Sequence, residues 1–203
     1  MGTAVARAKI EHWANRAMPL NPAFSKMISV WLFSLMTALG AFISIPLPFT
    51  PVPLTLQTLW VLLSGACLGK GEGAASQILY ILMGSVGLPF WAAGAIGLSR
   101  LWGPTGGYLL AFPLAAWTVG AIMEAGSHPT CRRALAAMGL GSLIIYALGL
   151  FQLLVWLHCT LRQGLMLGIL PFLPGDLIKI AAAVLICRKA GFVAFPNPTE
   201  IRE

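Results

Sequence analysis

The chain has 203 residues, 58% of them hydrophobic and only 9% charged, where a soluble domain carries about 25% charged residues. Its 13 Lys+Arg and 6 Asp+Glu cannot coat a soluble domain of this size, so lipid has to be the solvent, and the length allows about five to seven spanning helices with no added soluble domain. The formal net charge of +7 is scattered over predicted helix ends rather than gathered in a stripe, which excludes a nucleic-acid footprint.

Residues 1–26 contain Arg7, Lys9, Glu11, Arg16 and Lys26 and read as a cytoplasmic segment. The apolar run behind them lacks the short basic start and cleavage pattern of a signal peptide, so it is expected to stay as a helix. A six-helix transmembrane domain is predicted over 27–190 and a cytoplasmic tail over 191–203. The first helix is predicted over 27–45, uncharged and long enough to span. Pro46, Pro48, Pro51 and Pro53 then forbid a continuous helix through 45–53. A second helix follows over 54–68, the GKGEG run at 69–73 turns the chain, and a short third helix covers 74–86. Residues 87–108 are Gly-rich and irregular, which at membrane depth is tolerated only where protein covers the backbone or where it lines a cavity. The fourth and fifth helices are predicted over 107–123 and 134–157. The sixth, within 165–187, is broken by Pro171, Pro174 and Gly175.

Six helices put both termini on one side. Placing that side in the cytoplasm of an inner-membrane, multi-pass protein puts Arg7, Lys9, Arg16, Lys26, Lys70, Arg132, Arg133, Arg188, Lys189 and Arg202 inside, as the positive-inside rule requires. Arg100 and Arg162 remain outside, with Lys179 in the last helix.

Few residues can then carry chemistry. Asp176, the sole aspartate, and Lys179 stand three apart at a helix start and hence share one face. Charges inside a span cost about 2.5–3.5 kcal/mol near its centre and mark ligand sites or pathways. Arg100 lies among Trp91, Trp102 and Tyr108 and offers a planar fork suited to a carboxylate. In the second helix Thr55, Gln57 and Thr58 need hydrogen-bond partners, from a neighbouring helix or from a ligand. Ser34/Ala38 and Thr37/Ala41 form small-xxx-small pairs, usable for packing inside the chain or against a partner protein. The four cysteines make no zinc spacing and read as small apolar residues near helix ends. No metal or cofactor is expected, and the absence of HExxH, GxSxG and ATP-binding motifs speaks against an enzyme.

Four blocks, IPLPFTPVPLTLQTL (45–59), GLPFW (87–91), GPTGGYLLAF (103–112) and LPGDLIKIA (173–181), in this order resemble the BioY family, the biotin-binding S component of energy-coupling-factor (ECF) transporters. The resemblance covers roughly residues 30–190. It implies an all-α, six-helix membrane protein that binds biotin from the outer side with high affinity. It also implies uptake driven by an ATPase pair through a transmembrane coupling protein, although some members act without that module. Ser34, Thr37, Ala38 and Ala41 are the expected partner face. Asp176, Lys179 and Tyr108 are the ligand contacts the family blocks imply, with Thr55 and Gln57 added by the first block. Arg100 joins them on its chemistry.

Biotin has a carboxylate, an apolar ring and chain, and a ureido group with two N–H donors and one acceptor oxygen. A matching pocket has Arg100 or Lys179 at the carboxylate, Asp176 accepting a ureido N–H, and Trp91, Phe90 and Tyr108 as the wall. Two other functions stay open on the residues alone: carriage of a different vitamin, and an intramembrane enzyme.

Overall fold

A computed structural model of the chain describes residues 21–125 and 129–191. The charges at Arg7, Lys9, Arg16 and Arg202, and most of the proposed N-terminal segment and C-terminal tail, lie outside the described residues.

Helix α1 is Pro22–Phe42. It starts before the predicted 27 because Asn21 caps it, Oδ1 accepting from the Ala23 amide at 3.1 Å. It stops before 45 because the chain enters a two-residue strand, β1 (Ser44–Ile45), paired antiparallel with β2 (Leu54–Thr55). This ladder, which the periodicity does not reveal, closes the Pro-rich loop into a hairpin.

Helix α2, Gln57–Ser85, is interrupted at Gly69, whose φ of 83° and ψ of −178° only glycine adopts without strain. The two halves, 57–68 and 70–85, run antiparallel. Gln57 Nε2 donates to the Tyr80 hydroxyl and Gln77 Nε2 to Ser64 Oγ at 3.1 Å. In a straight helix residues 57 and 80 would stand about 35 Å apart. One residue reverses the chain where a five-residue turn is expected, and the second half resumes at once. Lys26 reaches Glu72 at 3.3 Å and Lys70 reaches Glu124 at 3.9 Å, which brackets this turn.

After a single 3-10 turn (Ala92–Gly94) come α3 (Ser99–Trp102) and α4 (Gly106–Glu124). Helix α5 is Cys131–Leu157, three residues longer at its start than predicted because Thr130 Oγ1 accepts from the Arg133 amide. A Thr160/Gln163 capping box opens α6 (Leu161–Gly168), and α7 (Leu173–Lys189) follows at a 50° bend. The break falls at 169–172. Pro174 lies within the first turn of α7, where its missing N–H costs nothing.

Three segments, Ala23–Phe42, α4 and α5, are long and apolar enough to cross a membrane, and the bent α6–α7 pair makes a fourth. Their outer faces carry exposed Trp31, Leu35, Leu114, Trp117, Phe151 and Leu177, as lipid contact requires. The halves of α2 reach only about 18 and 24 Å at 1.5 Å per residue and sit inside, against α1, α4 and α7.

This position explains the small-residue stripe of α1. Ser34, Thr37, Ala38 and Ala41 are 0–2% exposed. Thr37 Oγ1 donates to Gln77 Oε1 at 3.2 Å, and Ser34 Oγ lies 3.9 Å from Met83 Sδ. The stripe is consumed by packing inside the chain, and the expectation that it offers a docking face is corrected. The α1 face turned outward is instead the large one, with Phe24, Met27, Trp31 and Leu35.

Two apolar clusters fill the bundle. One, around Leu62, Met123, Met138 and Cys187, lies toward the end bearing Lys70, Arg188 and Lys189. The other, around Tyr80, Trp91, Phe112 and Tyr146, lies toward the loops at the opposite end, and there the bundle opens.

Candidate functional site

A partly open, largely apolar cleft enters the bundle at that loop end, the concave kind of surface on which small molecules are held. Each wall comes from a different element. The Pro-rich loop gives Val52 and Pro53, β2 gives Thr55, and the start of α2 gives Gln57 and Thr58. Trp91 comes from the irregular segment, Arg100 from α3, Tyr108 and Phe112 from α4, and Ile145 and Tyr146 from α5. Phe172, Asp176 and Lys179 complete it from the start of α7. Thr50 Oγ1 donates to the Leu167 carbonyl at 2.8 Å, tying the Pro-rich loop to the end of α6.

Polarity concentrates on the α7 wall. Lys179 Nζ donates to Asp176 Oδ1 at 2.7 Å, with both side chains only 10–11% exposed. Thr58 Oγ1 bridges the pair, donating to Asp176 Oδ1 at 3.2 Å and accepting from Lys179 Nζ at 3.1 Å. The Tyr146 hydroxyl donates to Asp176 Oδ2. Buried in this way, the pair is neutral as a unit, and each charge is satisfied by its partner and by hydroxyls. Arg100 is the contrasting cation. It is half-buried, lines the same cleft and has no carboxylate within ion-pairing distance among the described residues.

The remaining walls are held rigidly. Trp91 is fully buried, its Nε1 donates to the Gly97 carbonyl at 3.0 Å, and its ring meets Tyr80 edge-on at 5.4 Å. Tyr108 donates to the Gly168 carbonyl at 2.9 Å and lies flat on Gly149, where a Cβ would strike the ring. Gln57 is committed inside the protein: its Nε2 donates to Tyr80 and its Oε1 accepts from Thr55 Oγ1 at 3.0 Å. Of the two partners open to its amide, a neighbouring helix is the one seen.

Seven of the eight residues singled out as ligand contacts therefore meet in one cleft: Asp176, Lys179, Arg100, Tyr108, Gln57, Thr55 and Trp91. Phe90 does not. Trp91 is in extended backbone, so neighbouring side chains take opposite sides. With Trp91 turned to the cleft, Phe90 packs on the core cluster and its carbonyl accepts from Tyr80. Phe112 and Phe172 supply the aromatic wall instead. Tyr146 is the main omission of the sequence reading. Its signal was available, since a tyrosine inside an apolar helix must find a partner for its hydroxyl. Among the described residues no group of three His, Cys, Asp or Glu converges as a metal site would require.

The model of the BioY family matches residues 12–194. The chain is 42% identical over 161 residues to a protein of Thermotoga maritima named biotin transporter BioY, covering 79% of this chain and 92% of that one. It is 37% identical over 162 residues to a probable biotin transporter BioY of Pyrococcus horikoshii, with the same shares covered. In fold it is similar to the crystal structure of the S component for biotin from an ECF-type ABC transporter. The TM-score is 0.75 at 24% identity, over 84% of this chain and 93% of that one.

Proposed function

The chain belongs to the BioY family, and from that premise we propose that it binds biotin in this cleft and carries it across the cytoplasmic membrane. The observation that carries the assignment of the site is the pairing of Arg100, a cation with no carboxylate partner among the described residues, with a neutral, hydrogen-bonding Asp176–Lys179 couple in one largely apolar cleft. Biotin needs one cation, one donor–acceptor edge and an apolar wall. The two cations left as alternatives for the carboxylate now differ: Lys179 is neutralised by Asp176 at 2.7 Å, whereas Arg100 is not, so Arg100 takes the carboxylate. Asp176 and Lys179 take the ureido edge, and Trp91, Tyr108 and Phe112 hold the ring and chain.

Six crossings are the reading of topology we favour. The three long helices, the bent pair and the two antiparallel halves of α2 make six passes, with both termini and the Lys70, Arg132, Arg133, Arg188 and Lys189 end in the cytoplasm. The cleft then faces outward. The fold likeness to an S component supports a coupling protein and an ATPase pair as partners of this chain, with membrane lipid around the bundle. Titration of the purified chain with biotin, riboflavin and thiamine tests the function. Saturable one-to-one binding of biotin alone is expected, and equal or tighter binding of either other vitamin refutes it.

A further inference from the structure

Counting the donors and acceptors left open at the α7 wall assigns a role to a residue outside the family-like blocks. We propose that Tyr146 is a positioning residue that sets the specificity of the cleft, by reducing Asp176 to a single open acceptor beside a single open donor of Lys179. This rests on the reading that the Asp176–Lys179 wall takes the ureido edge.

A carboxylate has about four lone-pair sites and an ammonium three N–H donors. Asp176 Oδ1 accepts from Lys179 at 2.7 Å and from Thr58 at 3.2 Å, and Oδ2 accepts from Tyr146. One site on Oδ2 is left. Lys179 spends two N–H groups, on Asp176 and on Thr58 at 3.1 Å, and keeps one. A cyclic urea presents the complement, an N–H next to a carbonyl oxygen. A group that offers donors at both places meets the Lys179 N–H head on and is rejected.

Thr58 and Tyr146 differ in this arithmetic. Thr58 donates once and accepts once, so its removal opens one acceptor and one donor and leaves the balance as it was. Tyr146 only donates to the pair, so its removal opens an acceptor alone and makes the wall more favourable to a cationic, all-donor ligand.

The test compares biotin with 2-iminobiotin at neutral pH, where a cationic guanidinium replaces the urea. In the parent chain biotin binds more tightly. Tyr146→Phe is expected to narrow the biotin:iminobiotin affinity ratio by about tenfold, the scale of one hydrogen bond to a charged group. Thr58→Val is expected to weaken both ligands by a similar factor and leave the ratio in place. A merely structural role for Tyr146 lowers both affinities together, and an unmoved ratio overturns the proposal. If Tyr146→Phe does not fold, the parent chain still decides. With one open acceptor, only one of the two biotins methylated on a single ureido nitrogen is lost to binding, and equal loss of both overturns the assignment. Failure of the parent chain to bind biotin at all overturns the underlying reading instead, so the two failures are distinguishable.

Discussion

Asp176→Asn removes a charge and keeps the shape. At the observed 2.7 Å between Lys179 Nζ and Asp176 Oδ1, the Coulomb attraction is about 6 kcal/mol at an effective dielectric of 20. Desolvation of two side chains that are only 10–11% exposed offsets much of this. Removing the negative charge recovers none of the desolvation, because Lys179 stays buried with only neutral acceptors, the amide oxygen at position 176 and Thr58 Oγ1. A cost of about 3–5 kcal/mol follows, which for a chain of this size is a drop on the order of 10 °C in Tm. The assay is thermal unfolding of the detergent-purified chain with and without biotin. Asp176→Asn should melt early and lose biotin binding, whereas Asp176→Asn combined with Lys179→Met, which leaves no unpaired charge, should melt near the parent and still not bind. If Asp176→Asn melts with the parent and binds biotin as tightly, the pair is neither a desolvated couple nor a ligand wall.

Arg100 gives the opposite pattern, since no carboxylate within the described residues depends on it. Arg100→Ala should leave Tm unchanged and weaken biotin by about 2–5 kcal/mol, while biotin methyl ester, which lacks the carboxylate, loses less than a few-fold; isothermal titration of both ligands checks this. Ala38→Trp should abolish accumulation of folded protein rather than separate binding from uptake, because Ala38 is 2% exposed against the core and an indole there forces α1 off α2. Size-exclusion profiles of the solubilised variant decide, and a well-folded Ala38→Trp would show that α1 is not seated as described.

The spans were legible because an apolar run of about 20 residues has few alternatives to a membrane helix. Breaks were legible where their cause is covalent: Gly69 marks the reversal within α2 and Pro171 the bend between α6 and α7. Helix starts were not, since Asn21 and Thr130 act through side-chain caps on orphan amides that hydropathy does not register. The small residues of α1 illustrate a deeper ambiguity. Serine and alanine every four residues permit close approach but do not name the partner, and only tertiary packing shows that α2 takes the place. Among site residues, Asp176, Lys179 and Arg100 stood out because charge is scarce in this chain. Tyr146 did not, because its role depends on facing Asp176 across thirty residues of sequence.

What the scattered site residues share is position on their helices. Gln57 and Thr58 lie in the first turn of α2, Thr105 immediately precedes α4 with Tyr108 in its first turn, and Phe172 immediately precedes α7 with Asp176 in its first turn. Three helix N-termini therefore converge on one cleft. A helix N-terminus favours negative charge through its macrodipole, although the leading amides are already bonded here, Gln57 to Thr55 Oγ1, Gly106 to the Gly103 carbonyl and Leu173 to the Ile169 carbonyl. Asp176 in the first turn of α7 stands where that dipole favours a carboxylate. The largely irregular segments 46–56 and 87–105, interrupted only by β2, one 3-10 turn and α3, are the topological cost of bringing those N-termini together. Glycine, proline and backbone irregularity at this end of the bundle thus belong to the same device as the charges: they let three helices begin at the cleft we propose as the biotin site.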